Sequence, residues 1–243
     1  MRPLISIALF IVLPGVVLAF WQSLIWLISE EQTVLIIGSG FLAGIICSKI
    51  LSRLFPGIRV FEHELIHAIA ALCFLKKINT FRFNAHQGYV EHSGGVGGEL
   101  AEDIIGLAPY MLPVFALVSV LIRPLVNPDW IIWLDAWIGF CLGAHALRSF
   151  GDTVRSIRNP VFIRMDSDQY TYSDIARRGV SYSLLFIVTF SLAVHGLLFM
   201  MIFQGYNGAE IWSRIVWHHS QTFTQEIATL LSSMEQWPTF VMR

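Results

Sequence analysis

The chain has 243 residues, 55% of them hydrophobic and only 14% charged, with a mean hydropathy of +0.64. A soluble domain carries about 25% charge, so the expected class is an all-α polytopic membrane protein. The net charge of −1 offers no basic surface for a nucleic acid, and Cys47, Cys73 and Cys141 lie in apolar runs as small buried hydrophobes rather than disulfides or zinc-knuckle ligands.

Residues 4–28 form the first apolar run. Arg2 and Val17-Leu18-Ala19 imitate a signal peptide, but the apolar character continues past Ala19 to Ile28, long enough to span, so an uncleaved anchor is expected. After Glu30-Glu31-Gln32 a second run covers residues 33–51 and stops at Lys49, Arg53 and Pro56-Gly57. The third, residues 60–75, is short for a full crossing and suits a helix sheltered by neighbours.

That short run carries the chemistry. It contains His63-Glu64-Leu65-Ile66-His67. Residues four apart on a helix are separated by about 40° around the axis and one turn along it, so His63 and His67 can aim two imidazoles at one metal ion. Glu64 sits one place further round, where it can reach a metal-activated water as general base without being a ligand. The bland alternative is a pair of core histidines beside a glutamate. A Glu and two His in so apolar a segment are costly unless paired or metal-bound, and that favours the metal site.

Residues 76–103 are polar. Thr80-Phe81-Arg82-Phe83 alternates like a strand, and Gln87-Gly88-Tyr89-Val90-Glu91-His92 can be its partner before the glycine tract 94–98. One reading is a plain connecting loop. The other is an exposed strand edge at Gly88, Tyr89, Val90 and Glu91 that holds an extended peptide by β-addition. Residues 104–125 span again, kinked by Pro109 and Pro113, and residues 130–147 form a fifth run opened by Trp130 and Trp133. Residues 148–178 are polar, with six arginines among acids that include Asp152, Asp166, Asp168 and Asp174. A last span covers 179–204; its His195 reads as a helix–helix contact. The segment 208–236, with Trp212, Trp217 and the pair His218-His219, reads as an amphipathic helix on the bilayer or against the bundle, and Trp237 follows it. The chain is thus expected to be one integral membrane domain, 1–243, of about six embedded helices. The positive-inside rule puts loops 76–103 and 148–178 on the cytoplasmic side, and the bacterial inner membrane is the expected location.

On these residues the chain resembles the site-2 protease family, the intramembrane zinc metalloproteases. The resemblance covers residues 60–180 and rests on His63-Glu64-Leu65-Ile66-His67, with support from the Gly-Tyr-Val-Glu-His loop and from Ala108-Pro109 opening the next span. Ile66 stands where the family usually has Gly, and Leu134-Asp135-Ala136 is the nearest match to its Leu-Asp-Gly motif, which suggests a minimal or divergent branch. The resemblance implies zinc held toward the cytoplasmic face, a water activated by Glu64, and a distal Asp as third ligand. The implied reaction cuts a peptide bond in a transmembrane helix of a membrane protein substrate.

For the third ligand Asp135, His145 and Asp152 compete. The motif favours Asp135. Depth opposes it: with Lys76 taken as the cytoplasmic end, His67 lies about 13 Å inside, whereas Asp135 lies at the far end of its own run, about 20 Å from Arg148. Asp152 is therefore the expected ligand, with His145, seven residues earlier on the same face, as alternative ligand or proton-handling neighbour; Asp152 as an acid paired with Arg148 or Arg155 stays open. Two other functions compete. A catalytically inactive scaffold that binds partner helices would keep the fold without turnover. A di-iron lipid hydroxylase would need more histidine boxes than the single pair His63 and His67.

Overall fold

The computed structural model describes residues 1–163 and 170–235. The protein is mostly helical: α1 (Arg2–Ser29), α2 (Glu31–Leu54), α3 (Gly57–Cys73), α4 (Gly98–Met111), α5 (Val114–Ile122), α6 (Ile131–Arg158), α7 (Asp174–Arg178), α8 (Val180–Gln204) and α9 (Asn207–Glu235). Two antiparallel hairpins complete it, β1 (Lys77–Phe83) with β2 (Gly88–Ser93) and β3 (Val161–Ile163) with β4 (Tyr170–Tyr172). Among the described residues, four helices are long and apolar enough to cross a membrane: α1, α2, α6 with the turn before it, and α8. The α4–α5 pair makes a fifth if counted as one broken span. The motif helix α3 is not among them. Trp237, Arg164, Asp166 and Asp168 lie outside the described residues.

Two compact units emerge, residues 30–191 and residues 1–29 with 192–243. In the second unit α9 packs along α1: the rings of Phe10 and Phe223 meet edge to face at 6.4 Å, and a Cβ on Gly15 would strike Ser220. This pairing gives the apolar face of α9 a helical partner.

In the first unit α2 and α6 lie backbone to backbone. Gly40 and Gly44 face the carbonyls of Ala136 and Phe140, while Gly139 and Gly143 face those of Ile37 and Phe41. Any side chain at these four places would collide with backbone, and close backbone approach maximises the van der Waals contact that holds helices together in lipid. Helix α6 continues well past residue 147, so Asp152 sits on a helix rather than in a loop. The polar stretch after it becomes the β3–β4 hairpin and α7.

Of the two prolines expected to kink the fourth run, Pro109 lies inside α4 and Pro113 makes the break, where the axis bends by 85°. Pro113 has no N–H to continue the helix, and it pushes Leu112 into the extended region. On α6, Asp135 is taken up by Arg123, which donates Nε to Oδ1 at 2.8 Å and Nη2 to Oδ2 at 3.0 Å.

Helix α3 ends sharply. Leu75 takes a φ of +55°, Lys76 N–H donates to Ala71 O at 3.0 Å and Leu75 N–H to Leu72 O at 2.9 Å. These are the two bonds of a Schellman ending, here with Leu in the left-handed position that Gly usually fills. The chain reverses at once, and β1 runs back along α3 until Asn84 reaches the neighbourhood of Gly57. The hairpin expected from the alternation of Thr80–Phe83 and Gly88–His92 is therefore present, with Phe81 opposite Val90 and Phe83 opposite Gly88. At that reversal Lys76 is 8% exposed, and its Nζ donates to Gly94 O at 3.0 Å.

Candidate metal centre

Two ion pairs lock the start of α3 antiparallel to the end of α6: Arg59 to Asp152, and Glu62 to Arg148. Glu62 is pushed above the usual carboxylate range by burial, which outweighs the pull of Arg148. This face of α3 also carries His63, and one turn later His67; their ring centroids are 4.9 Å apart. The i, i+4 spacing thus places both imidazoles together.

The carboxylate that meets them is Asp174. Its Oδ2 lies 3.6 Å from His63 Nε2 and 3.4 Å from His67 Nε2. The three ligand atoms fall within 4.8 Å of one another. A tetrahedral ion with bonds of about 2.05 Å would hold its ligand atoms roughly 3.3 Å apart, so the two carboxylate–imidazole separations already suit one small divalent cation. Asp174 opens α7, whose first turn is pinned to α6: Ser173 Oγ accepts from Ala176 N–H at 3.3 Å and donates to Ser156 O at 3.0 Å.

The other ring nitrogens are also held. His67 Nδ1 lies 2.7 Å from Ile105 O and donates to it, which leaves Nε2 to face Asp174. His63 Nδ1 faces Asp152 Oδ2 at 3.5 Å. Metal-bound histidines have this pattern of a carbonyl or carboxylate behind the ring. The expected third ligand, Asp152, is therefore not the carboxylate that meets the two Nε2 atoms; Asp174 is. The structure puts Asp152 against Nδ1 of His63 and pairs it with Arg59, while Asp174 takes the Nε2 side. His145 is buried in α6 and does not line the cavity described next.

Charge follows the geometry. Burial favours the neutral ring of His63, but the carboxylates of Asp152 and Asp174 outweigh it and push the pKa up to about 10. Burial likewise opposes the charge on Asp174, and His67 with His63 outweighs that, holding it well below the usual carboxylate range. Glu64 is raised by burial against the opposing pull of His67 and His63.

These groups share a cavity of about 820 Å³. Gly88, Tyr89, Val90 and Glu91 line it together with His63, Glu64, His67 and Asp174, so the hairpin edge and the cluster face one space. A Cβ on Gly88 would stand 2.5 Å from Glu64 Cγ and 2.9 Å from Val60 Cγ1. Only glycine lets β2 come this close to the glutamate.

Asp174 was missed because nothing local separates it from its neighbours in the polar stretch. The nearest signal is Ser173-Asp174 opening a turn, with Arg178 four residues on. No protein-family model, no curated protein and no solved structure matches the chain.

Proposed function

We propose that the chain is a membrane-embedded zinc metalloprotease of the site-2 protease kind, which hydrolyses a peptide bond in or near a transmembrane helix of a membrane protein. The observation that carries this reading is the meeting of His63 Nε2, His67 Nε2 and Asp174 Oδ2 in a cavity that also holds Glu64 and β2. Three protein ligands leave a fourth position open, as hydrolytic zinc sites require. Bound there, zinc would supply the Lewis acidity that brings a water near neutral pKa.

Glu64 takes the proton of the attacking water and returns it to the leaving amine; its raised pKa brings it closer to the operating pH, where a general base is most effective. Asp152 and the Ile105 carbonyl orient the two rings from behind. The arginines at the end of α6 and in α7, among them Arg155, Arg158 and Arg177, support a cytoplasmic mouth. Purified protein should carry about one zinc per chain, and co-expression with candidate single-span proteins should give fragments. A chain that binds no zinc would overturn the reading.

The substrate is proposed to add to β2 as an extended strand. Asn84 N–H donates to Gln87 O at 2.9 Å, which makes 84 and 87 a hydrogen-bonded pair. Pairs alternate along an antiparallel ladder, so Gly88 and Val90 direct their N–H groups away from β1. Val90→Pro then deletes an outward donor and leaves the hairpin intact. Cleavage should fall at least tenfold in a protein that still purifies as a folded species. An unchanged rate would count against strand addition.

Zinc must also displace the proton that His63 holds when metal-free. With that pKa near 10, affinity should rise about tenfold per pH unit between pH 6 and 8, one proton leaving per zinc. Competition against a chelator of known pH dependence reads this slope, and a flat profile would remove the proton from the account.

A further inference from the structure

Helix α4 contributes no ligand, yet every group of the cluster except His63 is tied to its first turns. The Ile105 carbonyl fixes His67. Asp103, 1% exposed, accepts from Arg178 Nε at 3.1 Å through Oδ1 and from the Tyr182 hydroxyl at 2.9 Å through Oδ2. Arg178 Nη2 donates to Glu102 O at 2.7 Å, and Nη1 donates to the Asp174 carbonyl at 3.1 Å. Nη1 also stands 3.8 Å from Asp174 Oδ1, the carboxylate oxygen that does not face the histidines. The guanidinium lies flat across Gly106, and a Cβ there would fall inside it.

We propose that Arg178, clamped by Asp103 and the Glu102 carbonyl over Gly106, is the positioning residue that presents Asp174 to the metal. This rests on the metal reading of the cluster. The physical need is clear: α7 has only five residues, too few to hold a carboxylate in place by its own helical bonds. A planar fork with donors in fixed directions sets position and angle together, which the single point charge of Lys cannot do. The fork also stands on the Oδ1 side of Asp174 and leaves Oδ2 for the ion.

The test uses the whole chain in detergent, loaded with Zn²⁺ or Co²⁺, in wild type, His67→Ala, Arg178→Lys, Gly106→Ala and the double variant that combines the last two. Gly106→Ala removes no charge and no hydrogen-bonding group. Its methyl meets the far end of a flexible side chain, so the fold should hold while the guanidinium is displaced. Both Arg178→Lys and Gly106→Ala should weaken zinc binding about tenfold to a hundredfold, as loss of a ligand's supporting partner typically does, and should change the visible Co²⁺ spectrum. The double variant should be no weaker than Arg178→Lys alone, because both changes break one contact. Wild-type affinity and spectrum in the two variants, with His67→Ala losing metal, would overturn the clamp and leave the metal site standing. Additive losses, or a Gly106→Ala protein that does not fold, would make Arg178 a general core contact and overturn it too. A wild type that takes up no metal would remove the metal reading and the clamp together.

Discussion

Glu64→Gln is expected to give a protein that folds, keeps its zinc and cuts nothing. The substitution preserves shape and volume, and Glu64 is not one of the three clustered residues. What it removes is the proton acceptor beside them. General bases contribute about 10²- to 10⁴-fold to a rate, or roughly 3–5 kcal/mol of barrier, and a loss of that size takes fragment production below detection in co-expression. Zinc content by elemental analysis should stay near that of wild type. Two results would sink the mechanism. Full activity in the Gln variant would remove the base; loss of zinc would make Glu64 a ligand. An inactive wild type with no zinc would instead favour the scaffold.

The second large effect separates three aspartates that look alike on paper. Asp174→Ala should lose bound zinc, because Oδ2 is the atom within 3.6 Å of both Nε2 positions. Asp152→Ala should keep it with affinity lowered about tenfold to a hundredfold, since it deletes the carboxylate behind His63 and not a ligand. Asp135→Asn should bind as wild type does, because that carboxylate is engaged by Arg123. Affinities from chelator competition rank the three directly. If Asp152→Ala were the variant emptied of zinc while Asp174→Ala retained it, the ligand set would have to be rewritten around α6.

A mutation at Gly88 has a different expected signature. Side chains there would collide with Glu64 Cγ, so activity would fall through a displaced base even if substrate still bound. Val90→Pro removes a donor and leaves the base alone. The two variants thus divide strand addition from the chemistry it serves.

Membrane character, the two histidines and the glutamate were all legible in the linear sequence, and each for a local reason. Lipid excludes unpaired backbone, so long apolar runs must become helices, and α1, α2, α6 and α8 follow from their runs. One helical turn brings His63 over His67 whatever surrounds them. The hairpin was equally local, because period-two alternation and a tight turn lie within seventeen residues of chain, Lys77–Ser93. The tertiary structure alone decided the rest. Asp135, Asp152 and Asp174 look alike in the sequence, and they differ only in what packs beside each: Arg123, Nδ1 of His63, or the Nε2 atoms of His63 and His67. The fold-back of β1 along α3, which brings β2 beside Glu64, turns on one left-handed residue, Leu75. A metal–ligand bond is only about 2 Å long, while the path from His67 to Asp174 runs through two strand pairs, a broken helix and a full span. The packing of α7 on α4, through Arg178 over Gly106, is what sets Asp174 beside the two histidines.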